Sequence, residues 1–231
     1  MRRIHPLLKA LRHDLSAVAD PARAPGMQAY MKSAMPYHGV PAPLLRQTCR
    51  ALFRDLPLHD ADHWQSLVLA LWRGADYREE RYAAIELSGV ARAAPYQTPA
   101  AMPLYEEMIV SGAWWDYVDA LASLRVGPIL RAHPDPMQRL MREWGRGDNL
   151  WKRRTSILCQ LGSRQATDVR LLYDCIEPSL ASREFFLRKA IGWALRQYAR
   201  IDAAEVVRYV TEKGDRLSPL SQREALKRVA P

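Results

Sequence analysis

Trp115 and Asp119 stand four residues apart within Trp114-Trp115-Asp116-Tyr117-Val118-Asp119, inside an apolar pattern of helical period. That spacing puts an indole ring and a carboxylate on one helix face. Trp114 falls instead in line with Val118 and Leu121, an apolar stripe that faces a core and leaves Trp115 and Asp119 to point elsewhere. A carboxylate beside an aromatic ring is a place to hold a cation. In a chain of formal charge +9 and pI near 9.7, that cation is expected to belong to a polyanion, because the basic balance attracts phosphate without conferring sequence specificity.

A second aromatic stands among cations. In the helix predicted from about Glu184 to Arg200, Leu187, Ile191, Ala194, Leu195 and Tyr198 form the apolar stripe, while Lys189, Trp193, Arg196, Gln197 and Arg200 fall on another face. An isolated helical tryptophan is ordinarily a core residue. With Lys189 one turn before it and Arg196 and Gln197 one turn after, Trp193 reads instead as part of a nucleic-acid-facing surface. The same theme appears at Trp151-Lys152-Arg153-Arg154, after the loop 145–149. Arg154 shares helical spacing with Leu150, Trp151 and Leu158, so its stem should run along apolar surface and its guanidinium reach a groove. The competing reading for Arg154 is an ion pair with a neighbouring helix. Lys152 and Arg153 read as a solvated face or as phosphate contacts.

The elements that must position these residues are helices. No Asn-Gly hairpin and no sustained apolar alternation marks a strand, so the fold class expected is all-α. Capping boxes are predicted at Asp76 with Glu79, Asp202 with Glu205 and Ser221 with Glu224, a cap before a first-turn proline at Thr98-Pro99, and stops at Gly74, Gly112, Gly162 and Gly214. Apolar registers recur at Ile85, Val118, Ile157 and Ile191, spaced 33, 39 and 34 residues apart. That irregular period predicts HEAT-like helix pairs, about six of them, stacked as one solenoid over residues 1–231 with a concave basic face.

With 48% hydrophobic and 26% charged residues, the 231-residue chain can bury a sizeable core. Its start, Met1 to Pro6, lacks the apolar stretch of a signal peptide, and its longest apolar run, Leu67 to Trp72, is too short for a membrane span. The expectation is a cytoplasmic protein with no membrane partner. Cys49, Cys159 and Cys175 are odd in number, far apart and within helical patterns, which predicts reduced core thiols. No Cys or His cluster marks a metal site.

From His5-Pro6 through Tyr30-Met31-Lys32, Leu71-Trp72, the Trp114 to Asp119 run, Asp148-Asn149-Leu150-Trp151 and Arg154, the chain resembles the AlkD-type DNA alkylation-repair glycosylases. The likeness continues through Glu184-Phe185-Phe186, Lys189-Ala190-Ile191-Gly192-Trp193 and Leu217 to Ser221. It departs at 39–47, where apolar and proline residues replace the polar ones more usual in the family, although Arg46 is kept. The resemblance implies a HEAT-like fold and a catalytic cleft of Trp115, Asp119, Arg154 and Trp193. It adds DNA contacts from Tyr30 and Arg46, beside the Lys152, Lys189, Arg196 and Arg200 that their helix positions already place toward DNA.

The activity so implied is hydrolysis of the N-glycosidic bond of cationic N3- or N7-alkylated purines in double-stranded DNA, by a monomer that needs no cofactor or metal. Such a base is already a good leaving group, so the remaining task is to stabilise positive charge on the sugar. Asp119 would do this, the rings of Trp115 and Trp193 would pack on the cationic deoxyribose, and Arg154 would hold a backbone phosphate. The family captures the distorted backbone rather than extruding the base. Two other classes share the same charge and helices: a non-catalytic HEAT-like scaffold, and a binder of distorted or branched DNA.

Overall fold

The computed structural model describes residues 4–227 and Val229, and among them every regular element is helical. The all-α class is therefore observed, as a succession of fourteen short α-helices packed mostly on near neighbours in the chain. The described residues fall into two compact units, divided between Tyr96 and Gln97.

The first unit contains α1 (Pro6–Ala17), α2 (Ala24–Met31), α3 (Ala42–Phe53), α4 (Ala61–Gly74) and α5 (Arg78–Ser88). Helix α4 starts where the Asp60 carboxylate accepts the His63 N–H at 2.7 Å, and it ends at Gly74 as expected. Its buried face of Trp64, Val68, Leu71 and Trp72 packs against α1 and α5. The cap of α5 lies one residue further on than the predicted Asp76 and Glu79 pair. Tyr77 is the capping residue, and Glu80 reaches back to its N–H and to that of Asp76, at 3.4 and 2.7 Å. Glu79 is turned inward, where one carboxylate takes the N–H groups of His38, Gly39 and Val40 at 3.1, 2.9 and 3.1 Å.

The second unit begins with a short 3₁₀ turn that has Thr98 at its cap position and Pro99 first, followed by α6 (Met102–Gly112) and α7 (Trp115–Leu121). Then come α8 (Gly127–Ala132), α9 (Pro134–Arg146), α10 (Leu150–Leu158), α11 (Val169–Ile176), α12 (Phe185–Tyr198), α13 (Ala203–Lys213) and α14 (Pro219–Leu226). Helix α10 is central to this unit and packs on α6, α7, α9, α11 and α12. Between α7 and α8 the chain makes a π turn, Ala122–Val126, which a 3.6-residue period does not reveal. A Cβ at Gly127 would lie 2.3 Å from the Cys159 carbonyl oxygen, so glycine there lets the start of α8 press on the end of α10. Asp202 caps α13 as predicted, whereas α14 is capped by Ser218, with Ser221 one turn inside rather than at the cap.

The predicted registers are borne out. Ile85, Val118, Ile157 and Ile191 lie on α5, α7, α10 and α12, and all four are buried. The three thiols are free and buried, and burial pushes Cys49 and Cys175 up to about 12, which leaves them inert. Among the described residues no helix is long and apolar enough to cross a membrane.

Candidate functional site

Three helices of the second unit meet at one ion pair. Arg154 Nε donates to Asp119 Oδ1 at 2.7 Å and Nη2 donates to Oδ2 at 2.8 Å, the two-bond fork that suits a planar guanidinium to a carboxylate. The remaining arm, Nη1, donates to the carbonyl of Phe186. Asp119 lies on α7, Arg154 on α10 and Phe186 in the first turn of α12, so one side chain joins all three. Arg154 is 3% exposed. The expected reach of Arg154 to a backbone phosphate is therefore corrected: the guanidinium faces inward because Asp119 and the start of α12 supply its acceptors.

Aromatic rings wall this pair. The Arg154 guanidinium lies 5.9 Å from the centre of the Phe186 ring. Phe186 packs 5.1 Å from Trp151 and edge-on at 5.5 Å against Trp114. Trp114 serves the core, as its stripe with Val118 and Leu121 predicts, although it stands at the cap of α7 rather than inside the helix. Its indole nitrogen is buried without a hydrogen-bond partner.

Burial pushes the Asp119 carboxyl above the ordinary aspartate value, and the negative charge of Asp116 adds to this, while the two Arg154 bonds pull the other way. The Asp119 side chain keeps 13% of its surface. A carboxylate offers about four acceptor positions, of which Arg154 takes two. Asp119 thus combines a poorly hydrated negative charge with acceptor capacity at an exposed edge, an arrangement suited to a cation brought by a ligand.

Trp115 is the first residue of α7, one turn before Asp119, and is half-buried. Trp193 is half-buried on α12. Among the described residues neither ring stacks on another aromatic or on a cation. A Cβ on the neighbouring Gly192 would lie 2.5 Å from Glu224 Cβ and 2.9 Å from the Ser221 carbonyl oxygen. Glycine is needed there for α14 to approach α12 so closely, and the approach delivers Glu224.

Glu224 corrects the picture of Trp193 among free cations. It pairs with Lys189 at 2.9 Å and with Arg196, and those partners, Lys189 foremost, hold its carboxyl below the usual range. Lys152 likewise pairs with Glu106 at 2.7 Å and lies 5.0 Å over the Trp144 ring. Arg153 bonds the Ser179 hydroxyl and the Pro178 carbonyl. Arg200 is exposed and makes no ion pair among the described residues. In the first unit Arg46 lies 3.5 Å from Glu86, and Tyr30 is 77% exposed.

Sequence reasoning misses Phe186 as an acceptor and Glu224 as a counter-ion. The first has no side-chain signal, because the group used is a carbonyl. The second is visible three residues after Ser221, where the spacing makes it read as a capping residue. Among the described residues no group of three or more His, Cys, Asp or Glu could hold a metal ion.

Likeness to known proteins points one way. A family model described as DNA alkylation repair enzyme matches residues 11–229. A solved structure described as a predicted DNA alkylation repair enzyme from Enterococcus faecalis is 29% identical over 92% of this chain and 97% of that one, with a TM-score of 0.77. A comparison with curated proteins gives no match.

Proposed function

Because this chain belongs to the family of DNA alkylation repair enzymes, we propose that it is a DNA N-glycosylase acting on cationic N3- and N7-alkylated purines in duplex DNA. The observation that carries the reading is Asp119: a mostly buried carboxylate, fixed by Arg154 yet open at one edge, one helical turn from a half-buried tryptophan.

In the reaction the bond from the sugar C1′ to the base nitrogen breaks, and its electron pair passes to the base, cancelling the charge that alkylation created. Positive charge then builds on the deoxyribose. Asp119 stabilises that charge and accepts a hydrogen bond from the water whose oxygen bonds to C1′, and the proton that this water loses passes through the carboxylate to solvent. Trp115 and Trp193 offer ring faces to the same cationic sugar. Arg154 acts through Asp119, holding its orientation and its ionised state. Since the lesion supplies the leaving group, the reaction needs no general acid, no metal and no extrusion of the base. Neutral lesions are poor substrates for such a site. The reading makes the protein a monomer working on damaged genomic DNA in the cytoplasm.

The test is release of N7-methylguanine or N3-methyladenine from a duplex by the purified, metal-free protein. Release above the spontaneous rate supports the proposal. A second reading, a non-catalytic binder of distorted or branched DNA, draws on the same buried pair, which can serve merely to lock α7, α10 and α12 together. Tight binding without release would decide for it.

A further inference from the structure

Lys152, Lys189 and Arg196 are each answered by an acid, and Arg164 and Arg200 differ. Both are exposed, neither forms an ion pair among the described residues, and both border an open depression of about 370 Å³. Its lining includes Gln160, Thr167, Gln197 and Tyr198, but no acidic residue. The acids near Tyr198 are committed elsewhere: Asp202 caps α13, and Glu205 is bound by Tyr173 and Arg208.

The loop that presents Arg164 is held firmly. Gln160 bonds both the carbonyl and the N–H of Asp168, at 2.9 and 2.8 Å, closing the loop across its base. Within it Arg164 has left-handed backbone, φ 50°, an uncommon conformation for a side-chain-bearing residue, and its carbonyl accepts the Thr167 hydroxyl at 2.7 Å. The other wall is the last turn of α12. Gln197 stands four residues after Trp193, so it continues the helix face that carries the tryptophan.

We propose that Arg164 joins Arg200, already expected on the DNA face, and that the two, with Gln197 between the tryptophan and the depression, grip the phosphodiester backbone of duplex DNA one step along from the lesion. Two unopposed guanidiniums on rigid supports suit adjacent phosphates, and side-chain amides and hydroxyls commonly complete such contacts. The inference rests on the glycosylase reading for the position of the lesion. Its test does not, since it uses undamaged duplex.

Binding of an unmodified fluorescent duplex is measured by anisotropy over a salt series for the wild type and for R164Q/R200Q, R164K/R200K and R208Q. Removing one cation that neutralises a phosphate lowers the salt slope by about 0.9. The Gln double variant should therefore have a slope smaller by nearly two and bind at least about tenfold more weakly at low salt. The Lys double variant should keep the slope, and R208Q, which removes an exposed cation paired with Glu205 and Glu212, should match the wild type. An unchanged slope in the Gln double variant would overturn the proposal. So would an equal decrease in the Lys variant, which would mean a structural role, or displacement of the duplex by inorganic phosphate at constant ionic strength, which would mark a small-anion site. Absence of excision by the wild type would sink the glycosylase reading and leave this one standing.

Discussion

Two arginine–carboxylate forks, one in each unit, settle in opposite directions. In the first unit Arg12 grips Glu80 through Nε at 2.7 Å and Nη2 at 3.0 Å. Glu80 also takes the Asp76 and Tyr77 N–H groups, and His38 stands 3.7 Å away. Burial opposes ionisation of Glu80, yet these donors overcome it and pull the carboxyl down to about 2. In the second unit Asp119 receives the same fork from Arg154 without those added donors, and burial leaves its carboxyl raised. A guanidinium alone does not decide the state of a buried acid; the number of further donors does. Glu80 is fully occupied and serves as a cap, while Asp119 is under-occupied and open at one edge.

The largest effect that separates the two forks comes from removing each arginine. Arg154→Ala leaves Asp119 buried with no counter-charge, and breaking such a pair costs about 3–5 kcal/mol. Thermal unfolding should show that loss together with abolished excision. Arg12→Ala leaves Glu80 its backbone donors, so the cost should be nearer the ~1–3 kcal/mol of a lost charged hydrogen bond, with excision at saturating protein within about threefold. Equal destabilisation by the two variants would erase the distinction.

The next contrast is in pH. Excision requires ionised Asp119, so the rate should fall as pH drops through a midpoint above the ordinary aspartate value, by about tenfold per unit below it. Glu80 has a folded value below its unfolded one. Its stabilising contribution is fully present above about 4.3 and is lost only as pH falls from there towards about 2. There should therefore be a window in which the protein is folded by circular dichroism and inactive in a single-turnover assay. Loss of activity only where the fold is lost would contradict this.

How far the sequence reveals this site depends on the range of each contact. Trp115 and Asp119 are legible because helical geometry fixes residues four apart, whatever the rest of the chain does. The partner of Asp119 is not, since Arg154 approaches from another helix and its competing acceptors, phosphate and carboxylate, use the same donor geometry. The acid that pairs with Lys189 and Arg196 is hidden for the same reason: Glu224 reaches them only because Gly192 lets α14 pack close. The cap moves by a residue at α5, where Glu79 and Glu80 offer equivalent side chains and only the tertiary structure tells which one turns inward.

A smaller effect is expected at Gly192. Gly192→Ala forces a Cβ against α14 and should cost about 1–3 kcal/mol in thermal unfolding, with excision reduced no more than about fivefold at saturating protein. Absence of any destabilisation would show that the helices can separate freely. The smallest effect belongs to Asp116→Asn. Removing that charge relieves a repulsion on Asp119, so the acid limb of excision should move slightly down in pH, with the plateau rate changed by less than about threefold.

The most direct measurement is the single-turnover excision rate of Asp119→Asn on an N7-methylguanine duplex at saturating protein, with duplex affinity measured in parallel. Asparagine keeps the size of the side chain and can still accept from Arg154, but it carries no charge for the sugar. The rate should fall by about 10²–10³-fold, the scale of removing one group that stabilises transition-state charge, while affinity stays the same or tightens. A rate within threefold of wild type would contradict the account and leave Asp119, like Glu80, a structural carboxylate.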